Sequence, residues 1–491
     1  MSRDVQPLSV RRDRASARSP WLPFSMLAVI EFITVLDASI VNVALPSIEA
    51  EFGFTPQALA WVVDAYLLAY AGFLLLGGRA ADVLGRRRMY FAGLALFTVS
   101  SLVCGISQDA AQLLIGRGFQ GLGAALVAPA ALALIGDLFT VESDRNRALG
   151  IWGSMAGIGG AAGMVLGGLL TTADWRWTFL INVPIGIGVF IASSRLLPKI
   201  GRTTTSRLDL FGALLGTSGL CVLLLAITRA QDIGWLSGQS LTSFAVALVL
   251  LGAFVVRQLT AAEPLLPTHL FRRPSLALGN VVIALVGVLL FATFFVVTLY
   301  MQRVRGFSPL TTGLLYLPIN ASMWLGSWLA PRVIGALSPS GSLAAGLFLQ
   351  GAGLAWWTSV LTVDGNFVFT FLVPAMLWCF GLGLSIVSAF VVCTSGVDAE
   401  VRGAASGLAT TTYQSGGAIG LAVLVAVADS RTGELLAGPA GERPSEAAAL
   451  VSGYSASLLV GVVVAAVGVA LALLARRLTS ATPAAPETAT Q

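Results

Sequence analysis

Residues 23–46 read PFSMLAVIEFITVLDASIVNVALP. About 20 apolar residues in a helix cross the ~30 Å hydrocarbon core of a bilayer, so 24–46 is long enough to span one. Yet the stretch carries two carboxylates, Glu31 and Asp37. A charge at membrane depth costs at least ~2.5–3.5 kcal/mol on insertion scales, and such residues face a cavity and mark an ion or substrate route. At 1.5 Å per residue, Glu31 lies about 10 Å and Asp37 about 20 Å from the start of the helix. The plainer alternative makes each a structural hydrogen-bonding group. The expectation is that this helix lines a transport path.

The rest of the chain has the same character. Of its 491 residues, 56% are hydrophobic and 11% charged, with a mean hydropathy of +0.86. A soluble protein of this length could not carry such a surface. Apolar runs near 20 residues predict fourteen spans, at about 24–46, 58–78, 88–107, 112–135, 147–170, 178–197, 209–228, 240–259, 275–300, 310–333, 342–362, 367–392, 404–428 and 453–476. With both termini inside, only Arg176, Arg229, Arg303, Arg305, Arg431 and Arg443 of the 29 basic residues fall outside, and Arg117 stays within a span. That asymmetry obeys the positive-inside rule.

The net charge of +5 therefore reflects orientation in the membrane. Nucleic-acid partners are not expected, because the basic residues do not cluster with aromatics. No removable signal peptide is read at the Arg-rich N-terminus. Cys104, Cys221, Cys379 and Cys393 all lie within spans without CxxC spacing, so neither structural disulfides nor a metal site is expected.

Three charged residues on the early spans share a depth. Asp37 sits about eight residues from the outer end of span 1, Asp64 about seven from that of span 2, and Arg117 about six into span 4, or roughly 9–12 Å below the outer surface. Acids beside one guanidinium form a proton-coupling switch, since gaining a proton releases the partner; a permanent buried salt bridge is the alternative. On a wheel of about 100° per residue Glu31 and Asn42 share a face and Asp37 lies about 120° away. Asp37 is therefore expected to face spans 2 and 4, and Glu31 and Asn42 the central cavity.

Between spans 2 and 3, GGRAADVLGRRRMY (77–90) sets Gly78, Asp82, Gly85, Arg86 and Arg87 in a short cytoplasmic loop. The glycines permit close approach, and Asp82 can pair with a guanidinium or face a helix N-terminus. Such a charged latch can hold one conformation and release in another. In span 5, Gly159, Gly163 and Gly167 recur at every fourth residue, a spacing that packs helices backbone to backbone. They are read either as pure packing or as a sliding joint between two halves of a transporter. WRWTFLINVPIG (175–186) reads as an interfacial aromatic anchor.

Spans 7 and 8 carry few polar residues and look like an inserted hairpin. The linker 257–274 holds His269, the only histidine, read as a solvated loop residue, so a proton relay here must use carboxylates. Spans 9 to 13 hold almost no charge, and their polar content includes Asn280, Asn320, Gln350 and the run Thr410 to Gln414. That lining suits amphipathic organic molecules better than sugars or inorganic ions. The outer loop 429–452 and the tail after Thr479 read as polar, mobile segments.

Taken together, these stretches resemble the major facilitator superfamily, in its fourteen-helix drug:proton antiporter branch. LDASIVNVALP (36–46) is similar to the branch's helix 1 motif, GGRAADVLGRRR to the loop 2–3 signature, RGFQGLGAA (117–125) to the helix 4 motif, and WRWTFLINVPIG to the helix 6 signature. The resemblance implies an all-α membrane fold of fourteen transmembrane helices. Spans 1–6 and 9–14 would form two six-helix bundles, with two helices inserted between them. The expected divisions are a cytoplasmic segment 1–23, bundles 24–200 and 263–478, a hairpin 201–262 and a tail 479–491.

It also implies export of hydrophobic or cationic small molecules from a bacterial plasma membrane, driven by protons moving inward, with no cofactor. By motif, Asp37 carries over as the protonatable group and Arg117 as its partner; Asp64 rests on the depth argument. Gln120, Tyr413 and Gln414 join Glu31 and Asn42 as expected cavity residues. The chain departs from the branch at Gly163-Met164, where the helix 5 antiporter motif has Gly-Pro. Function as a monomer is expected. The alternatives are a dedicated exporter of one natural product, an uptake permease, or a non-transporting receptor. An enzyme is not expected, since no nucleophile–base pair, metal-ligand spacing or nucleotide loop is present.

Overall fold

A computed structural model describes residues 19–139, 141–198, 209–261, 264, 274–395, 402–438 and 443–480. Residues 1–18, His269 and most of its linker, and the tail beyond 480 lie outside it. The described chain is helical, with no strand. Its first part is built from α1 (Trp21–Phe52), α2 (Pro56–Leu84), α3 (Arg86–Gly105), α4 (Ala110–Leu138), α5 (Glu142–Thr171), α6 (Trp177–Leu180) and α7 (Asn182–Leu196). Next come α8 (Leu210–Ile233) and α9 (Gly238–Thr260). The last part holds α10 (Pro274–Leu299), α11 (Pro309–Leu337), α12 (Pro339–Val360), α13 (Val373–Thr394), α14 (Arg402–Leu436) and α15 (Glu446–Ser480). Nine described helices are long and apolar enough to cross a membrane individually.

Helix starts follow local chemistry. The Thr55, Asp109, Asp209 and Ser308 side chains each accept a hydrogen bond from a backbone N–H of the first turn, filling donors that a helix leaves open. Gly85 ends α2 and precedes α3 directly, with φ 105°. That corner suits glycine because the region is strained for any side chain.

Prolines mark the interruptions. Pro184 lacks the N–H that would bond the Leu180 carbonyl, and span 6, expected as one helix, divides at Ile181 into α6 and α7. Before Pro374 the chain takes a wider π turn at Val368–Leu372, and a second π turn, Tyr300–Val304, ends α10. The stretch 429–452, expected as a mobile loop, is partly helical. The α14 helix continues to Leu436 because Thr432 donates to the Ala428 carbonyl and also reaches that of Ala449, tying α14 to α15.

Two groups of helices result. In the first, α1 packs on α5, α2 on α4, and α3 on α4 and α7; in the second, α10 packs on α14 and α15, α11 on α13, and α12 on α13 and α15. Two seams join the groups, α2 with α14 and α5 with α11. The α8–α9 pair lies to one side, with α8 against both α2 and α14.

Candidate functional site

Gly121 lets α4 approach α2, since a methyl added there would lie 2.3 Å from the Tyr66 carbonyl oxygen. Gly123 does the same against α3, where the Phe97 nitrogen would be 2.6 Å away. The RGFQGLGAA segment therefore sits deep among its neighbours, and Arg117 and Gln120 have no exposed surface. Across from them on α1, Asp37 is equally buried.

These groups form one network. Arg117 Nη1 donates to Asp37 Oδ2 at 2.7 Å, and Gln120 Nε2 donates to Asp37 Oδ1 at 2.7 Å. A third donor, Asn182 Nδ2 of α7, reaches Oδ1 at 2.7 Å. Arg117 Nε donates to the Val62 carbonyl on α2 at 2.8 Å, and Nη1 also reaches Gln120 Oε1. Gln120 further donates to the Ser101 hydroxyl on α3. The guanidinium lies 4.5 Å from the Tyr66 ring centre and 5.7 Å from that of Phe179, a stabilising placement for a cation. Three helices thus meet on one desolvated carboxylate, with α2 and α3 joined to it through Arg117 and Gln120, and its ionised form suits the donors.

Asp64 is placed differently from the expectation. Arg117 reaches α2 at the Val62 backbone carbonyl, not at the Asp64 carboxylate. Asp64 is buried, and its Oδ1 has no hydrogen-bond partner among the described residues. The three residues of similar depth are therefore one ion pair and one separate acid.

The expected cavity residues divide too. Glu31 is half-buried. Asn42, expected to share its outlook, is buried and donates to its own helix at the Ala38 and Ser39 carbonyls. Gln120 is committed to Asp37 and Ser101. In the second group the half-buried Tyr413 ring lies 5.8 Å from Phe291 and 6.4 Å from Phe390. Gln414 Oε1 is buried without a hydrogen-bond partner among the described residues.

The loop signature makes contacts the sequence reading did not assign. Arg86 donates to Asp137 of α4 at 2.5 Å. Arg87 donates to the Ser194 carbonyl of α7 and lies over Phe91. Gly78 lies near Pro129; the Asp82 side chain is outside the described residues. The glycine stripe packs within the first group. Methyls added at Gly159, Gly163 and Gly167 would lie 2.6, 2.7 and 2.8 Å from the carbonyl oxygens of Phe32, Leu36 and Ile40 on α1. The joint between the groups uses other atoms, with Gly168 against Pro309 and Gly313 against the Met164 carbonyl.

Sequence reasoning missed Asn182 and Ser101. Asn182 stands in the quoted WRWTFLINVPIG two residues before Pro184, a polar side chain beside a helix break, which is the signal that could have found it.

Known proteins resemble this chain in sequence and in fold. The Major Facilitator Superfamily profile matches residues 27–421. The chain is 41% identical over 406 residues to the cephamycin export protein of Amycolatopsis lactamdurans, covering 82% of this chain and 83% of that protein. It is 33% identical over 466 residues to the puromycin resistance protein of Streptomyces alboniger, covering 93% and 92%. Among solved structures it is similar to a bacterial homologue of the human lysosomal transporter Spinster in an inward-facing, unoccupied conformation. There the TM-score is 0.68 at 16% identity, over 96% of this chain and 100% of that one. The helical topology, the two seams and these matches together show that the chain belongs to the major facilitator superfamily.

Proposed function

We propose that this protein is a proton-coupled exporter of small hydrophobic or cationic antibiotics across a bacterial plasma membrane. In this reading fourteen spans place both termini in the cytoplasm, with bundles 24–200 and 263–478 and the hairpin 201–262 between them. The relatives' export and resistance roles support the direction of transport. The observation that carries the coupling is the Asp37–Arg117 pair, buried from solvent on both sides.

A proton taken up by Asp37 removes the charge that Arg117, Gln120 and Asn182 hold. The donors then lose their shared charged acceptor, and α1 is free to shift relative to α4 and α7. Such a group biases a two-state equilibrium by its differential contacts. Asp64, whose Oδ1 has no donor among the described residues, is the second acid and a site for a cationic substrate. The half-buried Glu31 and Tyr413 offer a carboxylate and an aromatic face to an amphipathic molecule. The protein acts with no cofactor, the proton gradient being its energy source.

Inside-out vesicles carrying the protein, energised to an acidic interior and reported by a pH-sensitive dye, test this. Lipophilic cations and neutral antibiotics should release protons from the parent, and Asp37→Asn should not respond. Loss only in Asp64→Asn would move the coupling to α2. No release with any compound, from correctly inserted protein, would overturn the coupling.

A further inference from the structure

A separate set of polar contacts joins the two helix groups at one end of the molecule, beginning about 9 Å along α1 from Asp37. The π turn Tyr300–Val304 supplies two consecutive side chains. Gln302 Nε2 donates to the Val43 carbonyl of α1 at 3.0 Å, and the Arg303 guanidinium pairs with the Glu49 carboxylate. Val43 and Glu49 lie about 9 Å apart along α1, so the π turn grips α1 over more than one helical turn. Pro46 lies between them, and its ring disturbs the preceding turn of the helix, leaving carbonyls open to outside donors.

The ion pair is shielded, with side-chain exposures of 20% and 23%. Beside it, Gly168 of α5 meets Pro309 at the start of α11, so the same end is closed at a second point. A π turn closing a long helix is often a functional feature. Arg303 also lines a small pocket with Asp429 and Thr432 of α14 and Tyr454 of α15. It therefore has one acid on the first helix group and another on its own.

We propose that Arg303 is a positioning residue of the transport cycle, an outer gate that exchanges Glu49 for Asp429 as the outer ends part. With Glu49 bound, the outer ends are held together. When α1 withdraws, the guanidinium keeps a carboxylate partner in Asp429, so opening does not strand a charge at the membrane surface. This rests on the exporter reading and its orientation, in which Arg303 faces outside.

The test reads accessibility, which needs neither drug nor proton gradient. Ser47 lies on α1 between Val43 and Glu49, the two points the π turn holds, and is half-buried, so a Ser47→Cys reporter reads the parting of this end. In intact cells a membrane-impermeant maleimide should label the reporter slowly, with the parent as background. Arg303→Ala and Glu49→Ala should each raise the rate about fivefold, the scale of one partly exposed ion pair. The exchanged pair Glu49→Arg with Arg303→Glu should return it to the slow rate. Asp429→Asn should leave labelling slow while reducing export of a fluorescent lipophilic cation. Unchanged labelling in both single variants, or fast labelling in the exchanged pair, would overturn the gate, and full export in Asp429→Asn would overturn the exchange. Loss of drug-driven proton release with labelling as expected would count against the exporter reading alone.

Discussion

Arg117 Nη1 lies 2.7 Å from Asp37 Oδ2, and neither side chain touches solvent. A pair in that position adds little net stability, because taking two ions out of water offsets their attraction. Removing one partner is another matter, since the survivor is then a lone charge in a desolvated site.

Asp37→Asn should therefore lower stability by about 3–5 kcal/mol and abolish drug-driven proton release. Combining it with Arg117→Gln should recover much of the stability and none of the transport. Thermal unfolding in detergent and the vesicle assay separate the two effects.

Asn182→Leu keeps the size of the side chain and removes one of three donors to Asp37. Hydrogen bonds to charged groups contribute about 1.5–3 kcal/mol. The expected result is a folded protein whose proton release sets in at a different pH from the parent, read from the dye response across a pH series. An unchanged profile would mean that two donors suffice.

Asp64→Asn should leave the fold and the Asp37 network intact, because the Asp64 Oδ1 has no hydrogen-bond partner among the described residues. Export of cationic compounds should fall more than export of neutral ones. Competitive efflux of one cation and one neutral antibiotic from the same cells checks this, and equal losses would assign Asp64 to the proton pathway instead.

Gly163→Val should impair assembly, because its first added carbon would lie 2.7 Å from the Leu36 carbonyl oxygen. Overpacking of this kind costs about 1–3 kcal/mol. Gly157→Ala on the same helix meets nothing within 4 Å and should leave unfolding temperature unchanged. Heating the two variants side by side in detergent measures the contrast.

Much of the architecture was legible because membrane insertion is a one-dimensional problem. Apolar length predicts a helix long enough to span. The pairing of Asp37 with Arg117 was legible for the same reason, since both lie at one depth and neither can be left alone in lipid. Depth says nothing about azimuth, and there the reading failed. Asp64 shares the depth but its Oδ1 takes no hydrogen bond from Arg117, and Gln120 turned inward to Asp37. Asn182 was hidden because its place depends on the break that Pro184 imposes. The Glu49–Arg303 pair joins residues far apart in sequence, and no local pattern marks such a contact.

The contact of α8 with both α2 and α14 gives the molecule two unlike flanks. The seam between α2 and α14 has an extra helix packed along it, while α5 and α11 meet edge to edge through Gly168 and Gly313. A bilayer therefore grips the transporter unevenly. Tilting one group against the other must drag or slide past α8 on one flank, and on the other it rolls glycine over backbone. The friction of the cycle, and its sensitivity to lipid thickness, should be concentrated on the side where the hairpin rides.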